Sequence, residues 1–108
     1  MGYATRAKFE PLREVLFGGV GATYGALGKV LVNQARIVML QNLMDTAAYF
    51  SVDGTNDHIL LPPEGFVILD LTANKVRDDG KFLAIGTQFY VKYATAPASG
   101  SVTAAVIY

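Results

Sequence analysis

A single histidine, His58, follows the turn Asp53-Gly54-Thr55-Asn56-Asp57, and nowhere else in the chain do imidazole, carboxylate and hydroxyl groups crowd so closely. One imidazole rules out a multi-histidine metal centre or a two-histidine acid–base pair within one chain. A Ser–His–Asp set can be drawn from Ser51 or Ser99, His58 and Asp57 or Asp70, but no Gly-x-Ser-x-Gly elbow presents a serine as nucleophile. The oxygen-rich turn offers some ligands of a calcium loop, yet no bidentate Glu follows at the required distance, and Asp-Gly is first of all reverse-turn chemistry. Asp78 and Asp79, with Asp70, read as a solvated loop. The glycines of Gly18-Gly19-Val20-Gly21 lack the Gly-x-Gly-x-x-Gly spacing, and Gly25-Ala26-Leu27-Gly28-Lys29 lacks the Ser or Thr that a phosphate loop places after Lys. Without cysteine there is no thiolate nucleophile, disulfide or zinc–sulfur site. These residues therefore assign no catalytic, cofactor-binding or metal-ligating position, and a non-enzymatic protein without a cofactor is expected.

The composition points towards protein partners instead. Nine Lys plus Arg balance nine Asp plus Glu, so the chain lacks the basic field that drives nucleic-acid binding. Only 17% of residues are charged against 52% hydrophobic, which leaves apolar surface for neighbours. The basic residues Arg6, Lys8 and Arg13 alternate with Tyr3 and Phe9, but Glu10 and Glu14 are interleaved with them, as in a strand that docks on protein. Tyr3, Phe9, Leu12, Arg13, Phe17 and Tyr24 are the candidate interface residues. The longest charge-free stretches, Val15–Gly28 and Tyr93–Tyr108, are broken by small and polar residues and fall short of a bilayer span. No secretory signal and no membrane partner are expected.

The elements that must carry these residues fall into two parts. Residues 1–28 read as an N-terminal arm and Gly-rich segment: Pro11 interrupts any helix, and the run Phe17–Gly28 is too rich in glycine for regular helix. Residues 29–108 read as one β-sandwich domain. Its expected strands are Val30–Val32 and Ala35–Gln41 about a turn at Asn33-Gln34, then Ala47–Val52 and His58–Leu61 about the Asp53-Gly54 turn, the second ended by Pro62-Pro63. In Gly65–Leu71, Phe66, Ile68 and Asp70 alternate with Val67, Leu69 and Leu71, which predicts a strand covered on both faces at its centre. Thr72–Lys81 is a polar connection, Phe82–Ile85 a brief strand, and Thr87–Tyr93 with Ser101–Tyr108 a closing hairpin. A helix across Val32–Met44 competes with the strand reading there. The fold class is all-β: a single β-sandwich or jelly-roll-like domain of about seven to eight short strands with an extended N-terminal arm.

Several of these signatures recur together. Phe9-Glu-Pro-Leu-Arg-Glu-Val15, Tyr24 with its Gly-rich link, Ala35-Arg-Ile37 leading to Asn42, and Phe50-Ser-Val-Asp-Gly-Thr-Asn-Asp-His58 stand in the first half. Leu69-Asp-Leu-Thr-Ala-Asn74, Gly86-Thr-Gln-Phe-Tyr-Val-Lys92 and Ser99-Gly-Ser-Val102 through Tyr108 follow. In this order they resemble the small β-sandwich virion structural proteins of tailed bacteriophages. The resemblance implies a subunit present in many copies in the virion, either decorating or cementing the capsid or forming part of the neck and head–tail joint. Copies of itself and capsid, portal or tail proteins would be its partners, and no catalytic residue comes with the family. The alternative is a carbohydrate- or ligand-binding β-sandwich with Tyr49, Tyr90 or Tyr93 as stacking platforms.

Overall fold

Alternating apolar and polar residues, β-branched side chains and glycine-marked turns make this an all-β chain. The computed structural model describes residues 8–71 and 83–108. Eight strands form: β1 (Arg13–Leu16), β2 (Gly25–Ala26), β3 (Ile37–Asn42), β4 (Ala48–Ser51), β5 (Ile59–Leu61), β6 (Phe66–Asp70), β7 (Tyr90–Tyr93) and β8 (Ser101–Ile107). A single 3-10 turn, Phe17–Gly19, follows β1. The strands make two antiparallel sheets, with orders β1-β8-β3-β6 and β2-β7-β4-β5.

The pairing has a simple rule. β1 pairs with β8, β2 with β7, β3 with β6 and β4 with β5, so the chain is one long hairpin whose tip is the 52–58 loop. Rolling that hairpin sends its pairs alternately to the two sheets, and the β3–β8 and β4–β7 ladders close the roll. Eight strands wound in this way are a jelly roll. Between the sheets, Val38 and Leu40 of β3 and Val102, Ala104 and Val106 of β8 face Phe50 and Val91 of the second sheet, all buried. Each fully buried Val, Leu or Phe contributes about 1.5–3 kcal/mol.

Among the described residues, Asn42 is the one polar side chain held at zero exposure. Its Nδ2 reaches the carbonyls of Thr46, Leu61 and Pro62 at 2.9, 3.1 and 3.1 Å, and its Oδ1 accepts from the Met44 amide at 3.0 Å. It thereby ties two crossings between the sheets, after β3 and after β5, to one point. At the second crossing the Pro62-Pro63 pair ends β5, and Gly65 closes a turn back on the Pro62 carbonyl at 2.9 Å.

The structure departs from the sequence expectations at four places. Val30–Val32 is not a strand, and no hairpin forms about Asn33-Gln34; Leu31 instead bonds Thr87 and Gly86, because the Glu10 carboxylate takes the amides of Val32 and Asn33. The expected strand over Ala35–Gln41 does form, as β3 paired on both sides, and the competing helix across Val32–Met44 does not. Phe82–Ile85 shrinks to a bridge between Leu83 and Ala35 within the described residues. The closing hairpin is absent, since β7 and β8 belong to different sheets and the 94–100 link crosses between them. Finally, the described residues cover β6 on one face: Val67 and Leu69 pack on the core, while Phe66 and Ile68 are 61% and 58% exposed. The polar connection expected over Thr72–Lys81 lies outside the described residues.

The extended arm is partly integral to the fold. From Lys8 onward it lies along β8, with Lys8 and Tyr108 exchanging both backbone bonds and the Glu10 amide reaching the Val106 carbonyl. The pairing shifts by one residue between the Phe9–Ile107 bridge and the Arg13–Ala104 pair, a bulge centred on the donorless Pro11. In the Gly-rich segment, Val20 and Leu27 are buried in the core.

Candidate protein interface

Register decides which side chains share the outer face of the first sheet. Because Val38, Leu40, Val102, Ala104 and Val106 point inward, their sequence neighbours must point out. Reading across the ladders, one row is Phe9, Ile107, Ile37 and Asp70; the next holds Ala105, Met39 and Ile68, with Leu12 continuing the outward parity of β1 beside them. The third is Glu14, Thr103, Gln41 and Phe66, and Leu16 with Ser101 begins the fourth. Phe9 is 70% exposed, Leu16 64%, Leu12 and Phe66 61% each, and Ile68 58%. Large apolar side chains thus line both edges of a sheet whose middle carries half-buried Ile37, Met39, Ala105 and Ile107.

The second sheet presents a different face. Here Tyr24, Lys92, Tyr49 and Leu60 fall in one row across the strands. The Lys92 ammonium lies 4.6 Å from the centre of the Tyr24 ring and 5.3 Å from that of Tyr49, within cation–π range of both. Asp57 closes the group, accepting the Tyr24 hydroxyl and lying 3.2 Å from Lys92 Nζ. Burial first, then the bond to Asp57, raises the Tyr24 phenol far above its ordinary value. The Tyr24 and Lys92 bonds hold the Asp57 carboxyl below its own. In Tyr24→Phe, carboxyl-detected NMR should therefore show Asp57 titrating at a higher pH than in the parent chain; an unmoved midpoint would mean that the hydroxyl contributes nothing. Of the three tyrosines considered as sugar platforms, Tyr49 has its ring engaged by Lys92, Tyr90 stands over Gly54 and Tyr93 packs against the core.

The candidate interface residues are thus divided. Phe9 and Leu12 stand on the apolar face, with Phe17 in the 3-10 turn just beyond Leu16. Tyr24 belongs to the opposite sheet, and Tyr3 lies outside the described residues. Arg13 is a structural residue: at 7% exposure it pairs with Glu10 and reaches the Lys29 and Val30 carbonyls at 2.9 and 3.2 Å. The pair lies beside a groove of about 420 Å³ next to β1, lined also by Pro11, Leu12, Gly28 and Val32. Both Glu10 oxygens are satisfied within the chain. Sequence reading overlooked Leu16, Met39 and Ile107 as surface candidates and assigned Phe66 and Ile68 to a covered face. The signal was present in the two-sided apolar alternation of residues 66–71.

The residues around His58 form a loop cap. Asp53 accepts the Thr55 and Asn56 amides at 2.8 Å each and the Ser51 hydroxyl at 2.9 Å. Those donors hold its carboxyl far below the usual range. His58 Nδ1 accepts from the Val52 amide at 3.1 Å. Of the two candidate serines, Ser51 lies 3.5 Å from His58 Nδ1, but it is buried at 1% exposure and donates to Asp53. Gly54 takes a positive φ of 75° in this turn, which the Asp-Gly pair anticipated. Among the described residues no three His, Cys, Asp or Glu side chains gather as a metal site, and no helix is long and apolar enough to cross a membrane. No protein-family model, curated protein or solved structure matches the chain.

Proposed function

We propose that this chain is a non-enzymatic structural subunit that works in many copies, as a component of a tailed-bacteriophage virion. It decorates or cements the capsid or forms part of the neck and head–tail joint, with copies of itself and capsid, portal or tail proteins as partners. The observation that carries this reading is the apolar outer face of the first sheet. Phe9, Leu12, Leu16, Phe66 and Ile68 all stand more than half exposed on this one face, and exposed apolar side chains gathered in this way mark an interaction site. The jelly-roll winding supports the setting by analogy of fold, since capsid domains use the same architecture. The motif resemblance supports the phage assignment, and the balanced charge fits packing against protein rather than nucleic acid.

Sedimentation velocity on the purified chain is the direct test, with a species at a multiple of the 11.6 kDa subunit mass expected. In the encoding genome, a portal, capsid or tail gene should lie alongside. A chain that stays monomeric, encoded among metabolic genes, would overturn the reading.

A further inference from the structure

We propose that Asp53-Gly54 is a latent isomerisation site: a spontaneous route to an isoaspartyl backbone starts here, and the Ser51 hydroxyl, with the donors on the Asp53 carboxylate, holds it shut in the folded loop. The site stands apart from assembly and sets the chemical lifetime of the 52–58 tip.

Aspartate followed by glycine is open to this reaction because no Cβ on the second residue obstructs ring closure. The chain carries the pair twice, at Asp53-Gly54 and at Asp79-Gly80, the latter outside the described residues. In the first step the Gly54 backbone nitrogen attacks Asp53 Cγ. A new N–Cγ bond forms, and the amide proton leaves with the hydroxyl of the protonated carboxyl as water. In the second step a water adds at the Asp53 main-chain carbonyl of the five-membered imide and the bond from that carbonyl to the Gly54 nitrogen breaks. The chain then runs through Cβ and Cγ. Water is the sole co-reactant, and none is consumed overall.

The folded loop withholds both reactants. The Gly54 N–H, on the nucleophile, donates to Ser51 Oγ at 3.1 Å, and the Asp53 N–H donates to the same oxygen at 3.2 Å. The peptide plane is thereby fixed, and the Tyr90 ring lies so near Gly54 that a Cβ there would meet it at 3.2 Å. On the electrophile, Oδ1 accepts the Ser51 hydroxyl at 2.9 Å and the Thr55 and Asn56 amides at 2.8 Å each, while Oδ2 accepts Asn56 Nδ2 at 2.7 Å. These bonds favour the ionised carboxylate, which has no hydroxyl to lose. Ring closure must also break them. Ser51 serves both reactants at once, and as the buried last residue of β4 it is held in place by the sheet rather than by the loop. An isoaspartyl link would add a main-chain carbon between β4 and β5 and dissolve this cap. Asp57, which ties the tip to Tyr24 and Lys92, would move with it.

The test incubates the chain in mildly acid heavy-oxygen water, folded or in urea, and reads each Asp-Gly pair by peptide mass spectrometry, since every imide hydrolysed takes up one heavy oxygen. In urea the Asp53 and Asp79 pairs should convert at similar rates. In the folded parent, conversion at Asp53 should be slower than in urea by about tenfold or more, the scale of hydrogen bonds that hold a charged acceptor. Ser51→Ala, checked for folding by circular dichroism, should recover roughly tenfold of that rate. Tyr24→Phe unties the tip at Asp57 but keeps every bond to Asp53 and Gly54, and should age like the parent. Asn56→Ala, at an exposed position, removes the Oδ2 donor and should also speed conversion, which keeps the test open should Ser51→Ala fail to fold. A folded parent that converts at Asp53 as fast as in urea overturns the inference. So does a folded Ser51→Ala or Asn56→Ala that ages no faster than the parent, or a Tyr24→Phe that ages as fast as Ser51→Ala.

Discussion

Gly100→Ala should cost at least about 3 kcal/mol, enough to remove much of a domain's usual margin of stability. Gly100 sits just before β8 with a φ of 97°, a region that side chains rarely adopt. A Cβ there would stand 2.1 Å from the Leu43 carbonyl oxygen and 2.6 Å from the Met44 Cα. These are backbone atoms and cannot rotate away. The Gly100 carbonyl also accepts the Phe17 amide at 2.9 Å, and the next residue accepts the Leu43 amide at 2.7 Å. One substitution therefore disturbs the entry to the strand that holds β1 and β3 together. Urea titration should show the midpoint falling steeply. Gly86→Ala is the control: its φ is similar at 90° but nothing lies within 4 Å of the added carbon, so it reports conformational strain alone. Equal losses at the two sites would show that the close approach at Gly100 contributes nothing.

The contrast between those glycines illustrates what can be read from a sequence. The Asp53-Gly54 turn was legible because its bonds lie within three residues: Asp53 caps Thr55 and Asn56, and the Ser51 hydroxyl accepts the Asp53 and Gly54 amides. Most strands were legible for the same reason, since alternation is a local property. The winding was not. Whether the 94–100 link turns β8 back beside β7 or carries it to the other sheet depends on what β3 and β1 already offer as partners. The requirement for glycine at position 100 likewise comes from a backbone more than fifty residues earlier in the chain.

The candidate surface was half legible. Apolar residues on both faces of the 66–71 segment predicted that both would be covered, and the described residues cover one. The open face could not be assigned until β1, β8, β3 and β6 were in register, because its rows draw on residues as distant as Phe9 and Ile107. Tyr24 looked like an interface aromatic from its Gly-rich surroundings. Its partner Asp57 lies thirty-three residues away, and no local pattern announces such a contact. The two outer faces thus differ for a physical reason: on one, hydroxyl, ammonium and carboxylate groups satisfy one another, while on the other apolar side chains have no counterpart within the described residues.

Glu10→Gln should be the second most damaging change, with a loss of about 3–5 kcal/mol because it leaves the buried Arg13 guanidinium without its counter-charge. The pair fastens the start of the first sheet to the 29–33 segment, Arg13 through the carbonyls of Lys29 and Val30, Glu10 through the amides of Val32 and Asn33. Gly28 makes room for it, at a φ of 73° and so close to the Arg13 stem that a Cβ would meet Cγ at 2.6 Å. Burial by itself would raise the Glu10 carboxyl. The bonds from Arg13 and Asn33 and the charge of Arg13 outweigh it, and the carboxyl is held below its ordinary 4.5. A carboxyl lowered on folding binds its proton more readily in the unfolded chain, so its contribution is fully present above about pH 4.5 and disappears as pH falls through the folded value. Thermal melts between pH 7 and pH 3 should then show the parent chain losing stability below pH 4.5, with a shallower loss in Glu10→Gln. Arg13→Met alone should be costly too, since it strands the carboxylate, whereas the double variant Glu10→Gln, Arg13→Met should lose less than the sum of the two. Strict additivity in that cycle, or parallel pH profiles for parent and variant, would show that the two side chains stabilise the sheet edge independently rather than as an ion pair.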